Sequence, residues 1–210
     1  MNATKTFLNL PSKKRLKIVD AAIEEFANHT YSESNLDRIA SASGVSKGSL
    51  FQYLDNKSAF YCYSVSESLD RSWEFYQDYM SRHATTDCFS TLAETILNLS
   101  YLKKKEPNLA ALYLRVVYTK NSHRRDELFE KYVSRNNNII EQLVIDGLEA
   151  GFIDPQIPAG IVRFHVHAVG SHLTYLILSG DDPRWLPRSP KRLREFVEES
   201  VGLLRRALAP

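Results

Sequence analysis

Between positions 46 and 57 the chain sets Ser46, Lys47, Ser49, Gln52, Tyr53 and Lys57 around two leucines, Leu50 and Leu54. The chemistry such side chains can do is recognition. A hydroxyl or an amide pairs with base edges in a groove of DNA, and an ammonium or a phenol holds a phosphate. Leu50 and Leu54, four apart, form the apolar stripe of a short helix, which leaves Lys47, Gly48, Ser49, Gln52 and Tyr53 facing outward. Ser46 stands where an N-cap belongs, its hydroxyl able to accept from an unpaired N–H. Just before it, Leu36, Ile39 and Ala40 mark one face of another short helix. Ser43-Gly44 interrupts that helix, and glycine is the residue that turns with positive φ at least cost. Val45 then re-enters the core. Two short helices joined by a glycine-bearing turn make a helix-turn-helix, a unit that presents its second helix to the DNA major groove.

Within that second helix the residues divide by chemistry. Ser46, Lys47 and Gly48 occupy the first turn, where unpaired N–H groups and the helix dipole favour an anion, and Gly48 allows close backbone approach. Ser49 and Gln52 are the expected base readers, and Tyr53 and Lys57 the expected phosphate contacts. Another place is open to Tyr53, packed beneath the first helix of the domain.

The flanking sequence positions this motif. Ser12 can cap a helix running to about Asn28, with Ile18, Val19, Ala22, Ile23 and Phe26 as its buried face. Ser34 or Asn35 caps the helix after it. The first seventeen residues hold five positive charges and no acid. Residues 1–11 therefore read as a flexible basic arm suited to phosphate attraction, or simply as a solvated terminus. Residues 1–60 carry all of the net charge of +2, so the rest of the chain is neutral. That balance disfavours a nucleoid-type protein that coats DNA along its whole surface.

Ile18-Val-Asp-Ala-Ala22, Phe26, Tyr31, Ile39-Ala40, Gly44-Val-Ser-Lys-Gly48 and Leu50-Phe-Gln-Tyr-Leu54, followed by Lys57, closely resemble the N-terminal domain of TetR-family transcriptional regulators. The resemblance covers roughly residues 12–60. It departs at Thr30, where the family usually has glycine, and at Phe51, commonly a tyrosine that reaches a phosphate. It implies an all-α protein: a three-helix helix-turn-helix domain over 12–60 (motif about 36–55), then an effector-binding and dimerisation domain over 61–210. It also implies a DNA-contacting set of Asn35, Ser46, Lys47, Gly48, Ser49, Gln52, Tyr53 and Lys57. The implied partners are a palindromic double-stranded operator, a second copy of the chain and an unknown small-molecule effector, with repression relieved by the effector.

Beyond residue 56 the periodicity predicts helices only. A long one runs from Asn56 to about His83, and others begin at Thr86-Asp87, at Pro107 and near Asp126, the last stopping near Gly151. Phe152–Pro158 is a turn-rich connector before two helices at about 159–179 and 190–208. Trp73, Tyr76, Tyr79, Tyr113, Phe129 and Tyr132 could line an apolar effector pocket or serve only as core. The helix at 159–179 is apolar nearly all round. By the resemblance it pairs with the last helix and their symmetry mates, with Phe164, Leu173, Leu176, Ile177, Phe196, Val197 and Leu204 at the dimer interface.

Several classes of function find no support. There is no nucleophile elbow, phosphate loop, dinucleotide fingerprint or HExxH pair, so an enzyme is not expected. A helical enzyme or ligand-binding protein that retains a helix-turn-helix without regulatory use stands as the alternative. His165 and His167 point to different faces and His172 lies two turns on, so a metal site is not expected, nor any cofactor. Glu24, Glu25, Glu198 and Glu199 read as solvated helix faces. Cys62 and Cys88 have no metal spacing and suit reduced thiols. With no membrane-spanning run and no signal-like N-terminus, the expected location is the cytoplasm. Replacing Gln52 by alanine is expected to relax base preference about tenfold at one operator position, without changing the salt dependence of binding. Selection from random duplexes measures this, and an unchanged consensus removes Gln52 from the reading set.

Overall fold

The apolar positions of the first strongly periodic segment build the helix they predict, and the rest of the N-terminal architecture packs on it. The computed structural model describes residues 3–83, 85–118, 123, 125–180 and 184–210, omitting the side chains of 125–127 and 129–137. Among the described residues all regular structure is helical: α1 (Lys5–Leu8), α2 (Ser12–Asn28), α3 (Leu36–Ser43), α4 (Lys47–Tyr53), α5 (Lys57–Arg82), α6 (Cys88–Lys105), α7 (Pro107–Tyr118), α8 (Arg125–Glu149), α9 (Ala159–Ser179) and α10 (Pro190–Leu208).

The chain forms two units, residues 1–73 with 106–130 and residues 74–105 with 131–210. This differs from a division at residue 60. Residues 61–73 and α7 belong with the N-terminal helices, because α7 packs along α2. Arg115 of α7 also donates to the carbonyls of Ala27 and His29 at the C-terminus of α2. A cation is favourable at that end, where carbonyls lack intrahelical partners.

In the first unit Ile18, Val19, Ala22, Ile23 and Phe26 of α2 are buried as the spacing predicts. Ser12, expected to cap this helix, is its first residue instead, and Pro11 takes the cap position without a side-chain bond. Proline's fixed φ suits it to turning the chain into a helix. Nor is the described part of the arm, residues 3–11, free. Thr4 caps α1, and Phe7 is wholly buried against the rings of Tyr53 and Tyr63. The polar-looking segment conceals one aromatic that finds a slot in tertiary structure.

Glu25 is a further correction. It is buried rather than solvated, receiving Arg38 Nη2 at 2.5 Å, Arg38 Nε at 2.9 Å and the Asn35 N–H at 2.7 Å. The carboxylate thereby ties α2 to the start of α3. Burial alone would raise its pKa. Hydrogen bonds from Arg38 and Asn35, with the charges of Arg38 and His29, outweigh burial and hold the carboxyl below the usual range.

The second unit packs α6 against α9 and α10. Its core includes Leu92 and Ile96 of α6, Val162 and Val166 of α9, and Val197 and Val201 of α10. Asp87 does cap α6, accepting from the Phe89 and Ser90 N–H groups at 2.9 and 3.1 Å, and it also pairs with Arg205 of α10. Inside α8, a Cβ at Gly147 would stand 2.5 Å from Ile153 Cδ1 and 2.7 Å from Cys88 Sγ. Only glycine admits that close approach.

α9 has two unlike faces rather than being buried all round. Leu173 and Ile177 join Val197 and Leu204 in the core of this unit, Leu176 is buried as well, and Phe196 packs on the core's edge. The five buried residues are thus filled within one protomer, and Phe196 is half-buried at the edge. Of the proposed interface set, Phe164 is open at 65 % exposure, joined by Ile161 at 50 % and Leu203 at 63 %.

A carboxylate with a depressed folded pKa stabilises the fold above its unfolded pKa of about 4.3, and that contribution is lost as pH falls through the folded value. Glu25→Gln is expected to cost about 2 kcal/mol at neutral pH. The deficit against the parent protein should begin to shrink as pH falls below the unfolded pKa and close only below the folded one. Urea melts across pH test this, and a deficit that persists unchanged in acid contradicts the role given to the charge.

Candidate nucleic-acid interface

The site is built from two helices too short to stand alone, so its geometry depends on how each end is closed. Asn35 begins α3 as its N-cap, accepting from the Asp37 N–H at 2.8 Å. Its side-chain oxygen is therefore committed to the helix. α3 ends at Gly44, with φ of 72°. There the Gly44 N–H bonds to Ser41 O at 3.2 Å and the Val45 N–H to Ala40 O at 3.0 Å. The second of these is the 6→1 bond of a Schellman turn, whose left-handed residue favours glycine. Two residues later Ser46 caps α4, accepting from the Ser49 N–H at 3.1 Å, and the two serine hydroxyls lie 2.8 Å apart. Leu50 and Leu54 are buried, as are Ile39 and Ala40 on α3.

With that face turned inward, Ser46, Lys47, Gly48 and Gln52 are exposed along the outside of α4 and Ser49 is half-buried beside them. Lys47 Nζ rests 2.8 Å from Asp37 Oδ2, both side chains at least half exposed. A pair so placed contributes little to stability and leaves the ammonium able to meet a phosphate. A Cβ added at Gly48 would have Ser46 Oγ as its nearest neighbour, at 3.9 Å, and φ there is not positive. Nothing within the chain requires glycine at this position.

Lys57 and Tyr53 are placed otherwise than their sequence positions suggest. Lys57 Nζ lies 3.3 Å from Ser32 O and 4.8 Å above the Tyr31 ring, at the start of α5 and outside the α4 face. Tyr31 is itself stacked at 3.6 Å on His123, whose Nε2 is 2.8 Å from Ser58 Oγ. Tyr53 is 5 % exposed and packs on Phe7, at 5.7 Å between ring centroids. It therefore occupies the buried alternative rather than the outer face, because the α1 segment covers it. Phe51, by contrast, is 45 % exposed. An aromatic there can touch a thymine methyl or a sugar but cannot donate to a phosphate.

The aromatic residues considered for an effector pocket divide between the units. Trp73 and Tyr113 belong to the first, Tyr76 and Tyr79 to the second. The side chains of Phe129 and Tyr132 lie outside the described residues. Tyr79 is buried and donates to Glu94 Oε2 at 2.8 Å, and Glu94 in turn pairs with Arg194. Burial, with Glu94 beside it, pushes the Tyr79 phenol up to about 12. It is thus a fixed member of a polar cluster. A cleft of about 500 Å³ opens between α6 and α10, lined in part by Phe89, Ala93, Val201 and Gly202. The sequence held no signal for it. Among the described residues no three His, Cys, Asp or Glu side chains gather as metal ligands, and no helix is long and apolar enough to cross a membrane.

A capped, seven-residue helix held by a Schellman turn, its outer face carrying serine, lysine, glycine and glutamine, defines a helix-turn-helix DNA-binding protein. Residues 18–61 match the family model "Bacterial regulatory proteins, tetR family", so this segment is a DNA-binding domain of the TetR type and the protein is a DNA-binding transcriptional regulator. It is 26% identical over 153 residues to the "Fatty acid metabolism regulator protein" of Bacillus subtilis (strain 168), covering 71% of this chain and 76% of that one. Among solved structures it resembles a TetR family regulator from Chloroflexus aurantiacus J-10-FL, with a TM-score of 0.70, 22% identity and full coverage of both chains. It also resembles FadR from Bacillus subtilis in complex with stearoyl-CoA, with a TM-score of 0.68, 18% identity and coverage of 90% of this chain and 96% of that one. At such identities the structural likenesses establish the fold.

Gly48→Ala is expected to leave stability unchanged or raise it by up to about 1 kcal/mol, since alanine favours helix. The same change should weaken DNA binding by keeping the backbone from its close approach. Thermal melts and duplex titration read the two effects separately, and a destabilised variant with intact DNA affinity contradicts the assignment.

Proposed function

We propose that this regulator is a repressor that holds a two-fold-symmetric operator as a homodimer and leaves it when a largely apolar small molecule binds its C-terminal helical part. The outward face of α4 carries the reading, because Ser49 and Gln52 stand there among groups suited to phosphate. Phe51 adds an apolar contact of the kind that suits a thymine methyl. Lys57, steadied over Tyr31, supports the phosphate contact from the start of α5. A two-fold axis in the protein calls for a palindromic site with half-sites about one helical turn apart, or a multiple of that. The open side of α9, with Ile161 and Phe164, and Leu203 of α10 supply apolar surface for the partner copy.

Release follows if the effector favours a dimer whose recognition helices no longer match successive grooves. It can shift that balance only by its difference in affinity between the two states. His123, beyond α7, stacks on Tyr31 and lies at hydrogen-bond distance from Ser58, which gives a displacement of His123 a physical route to the start of α5. Long-chain acyl-CoA is the first effector class to try, on the strength of the fatty acid regulator and the stearoyl-CoA complex among the relatives. The site of action is the cytoplasm, where chromosome and acyl-CoA are both at hand.

Titration with the duplex upstream of the protein's own gene, against a random duplex and across a salt series, tests the DNA-binding reading. Selective binding at two protomers or a multiple per site, weakening with salt, is the expected result. Stearoyl-CoA should lower that affinity at least about tenfold, and its own affinity should fall equally when operator is present. Equal stearoyl-CoA affinity with and without operator rejects acyl-CoA as the effector, while equal weak binding to both duplexes rejects that operator.

A further inference from the structure

We infer that the N-terminal segment around Thr4 and Phe7 is a positioning device for the recognition helix, governing sequence selectivity without touching a base. α4 has only seven residues. A helix of that length does not hold itself in water, and the carbonyls of its last turn have no partners within it. One of its ends is closed locally, by Ser46. The other is closed by the chain's beginning, almost fifty residues away in sequence.

Thr4 makes that closure with every polar atom that can reach. Its N–H donates to Tyr53 O at 3.1 Å. Its hydroxyl lies 2.9 Å from Gln52 O and 3.0 Å from Tyr53 O, so one proton is shared between two carbonyls of the last turn. The same oxygen accepts from the Phe7 N–H at 3.2 Å, which starts α1. One threonine thus ends α4 and begins α1. Phe7 fastens the segment from beneath, fully buried between the rings of Tyr53 and Tyr63, the latter met edge-on at 5.3 Å. Arg15 of α2 fixes the far end by donating to Leu8 O at 2.7 Å. The segment is therefore tied to α2, α4 and α5 at once.

This placement separates the segment from a phosphate-seeking arm. Its inward side is apolar, and its contacts fall on the backbone of Gln52, a residue expected to read a base. Without the closure the last turn of α4 frays and Gln52 loses its fixed direction. Lys47 and Lys57 keep their charge, so attraction to any phosphate backbone persists. Selectivity should fall while sequence-independent binding stays.

The inference rests on DNA binding by the α4 face, and its test separates the two. Phe7→Ala would remove a fully buried ring and endanger the fold, so Thr4 carries the experiment: Thr4→Val keeps the shape and removes the hydroxyl, and Thr4→Ser restores it. The full-length parent first enriches a duplex from a random pool. Parent and variants are then titrated with that duplex and with a shuffled one of equal length, across a salt series. Thr4→Val is expected to bind the enriched duplex about fivefold more weakly and the shuffled duplex as the parent does, with the same salt slope. Thr4→Ser should recover most of the loss. Equal weakening on both duplexes, or a Thr4→Val protein that matches the parent on both, overturns the positioning role. A parent chain that enriches no duplex overturns the DNA-binding reading itself, and the positioning role with it.

Discussion

A seven-residue recognition helix cannot be stable by itself, and much of the first unit's structure answers that constraint. Its inner face is held by Leu50 and Leu54, its start by Ser46, its direction by the left-handed turn at Gly44, and its end by Thr4. The Ser46 cap and the Thr4 hydrogen bonds each contribute on the order of 1 kcal/mol, and each buried leucine about 2 kcal/mol. Together they leave much of the outer face with few structural duties. Residues there can then be chosen for contact with DNA, and Gly48, which no internal contact requires, is the plainest instance.

Charge within the unit is used to join elements as well as to meet phosphate. Glu25 takes two hydrogen-bonding partners from α3 and its cap residue, and Arg115 closes the C-terminus of α2 from α7. Buried charges of this kind are favourable only when paired and hydrogen-bonded, and both conditions hold for Glu25. The effect is to make α7 and the first turn of α3 depend on the same helix, α2. Both α7 and the start of α3 are thus anchored on one helix within the first unit.

The second unit shows how apolar composition and interface can diverge. α9 is rich in apolar residues on almost every side, yet one side builds the protomer's core and the other stays open. Val162, Val166, Leu173 and Ile177 meet α6 and α10, whereas Ile161 and Phe164 face out among exposed histidines His165 and His172. Large apolar side chains on an open face mark a surface for association. Hydrophobicity alone could not sort the two sides, because both are apolar.

The helices after α1 were legible because they carry their own signals: the 3.6-residue spacing of α2, the asparagine and serine caps of α3 and α4, the glycine between them, and the proline that opens α7. Those are local effects, set by backbone sterics and by side chains a few positions apart, so sequence by itself determined the helical class, the helix-turn-helix and the outward Lys47, Gly48, Ser49 and Gln52. Tertiary structure alone decided matters that depend on residues far apart in the chain. It buried Tyr53 beneath Phe7, turned Glu25 from a solvent-facing acid into a tie, assigned α7 to the first unit, and sent Leu173, Ile177, Val197 and Leu204 inward rather than toward a partner. In each case the outcome turns on which distant side chain fills the space beside a residue, and no pattern of nearest neighbours contains that information.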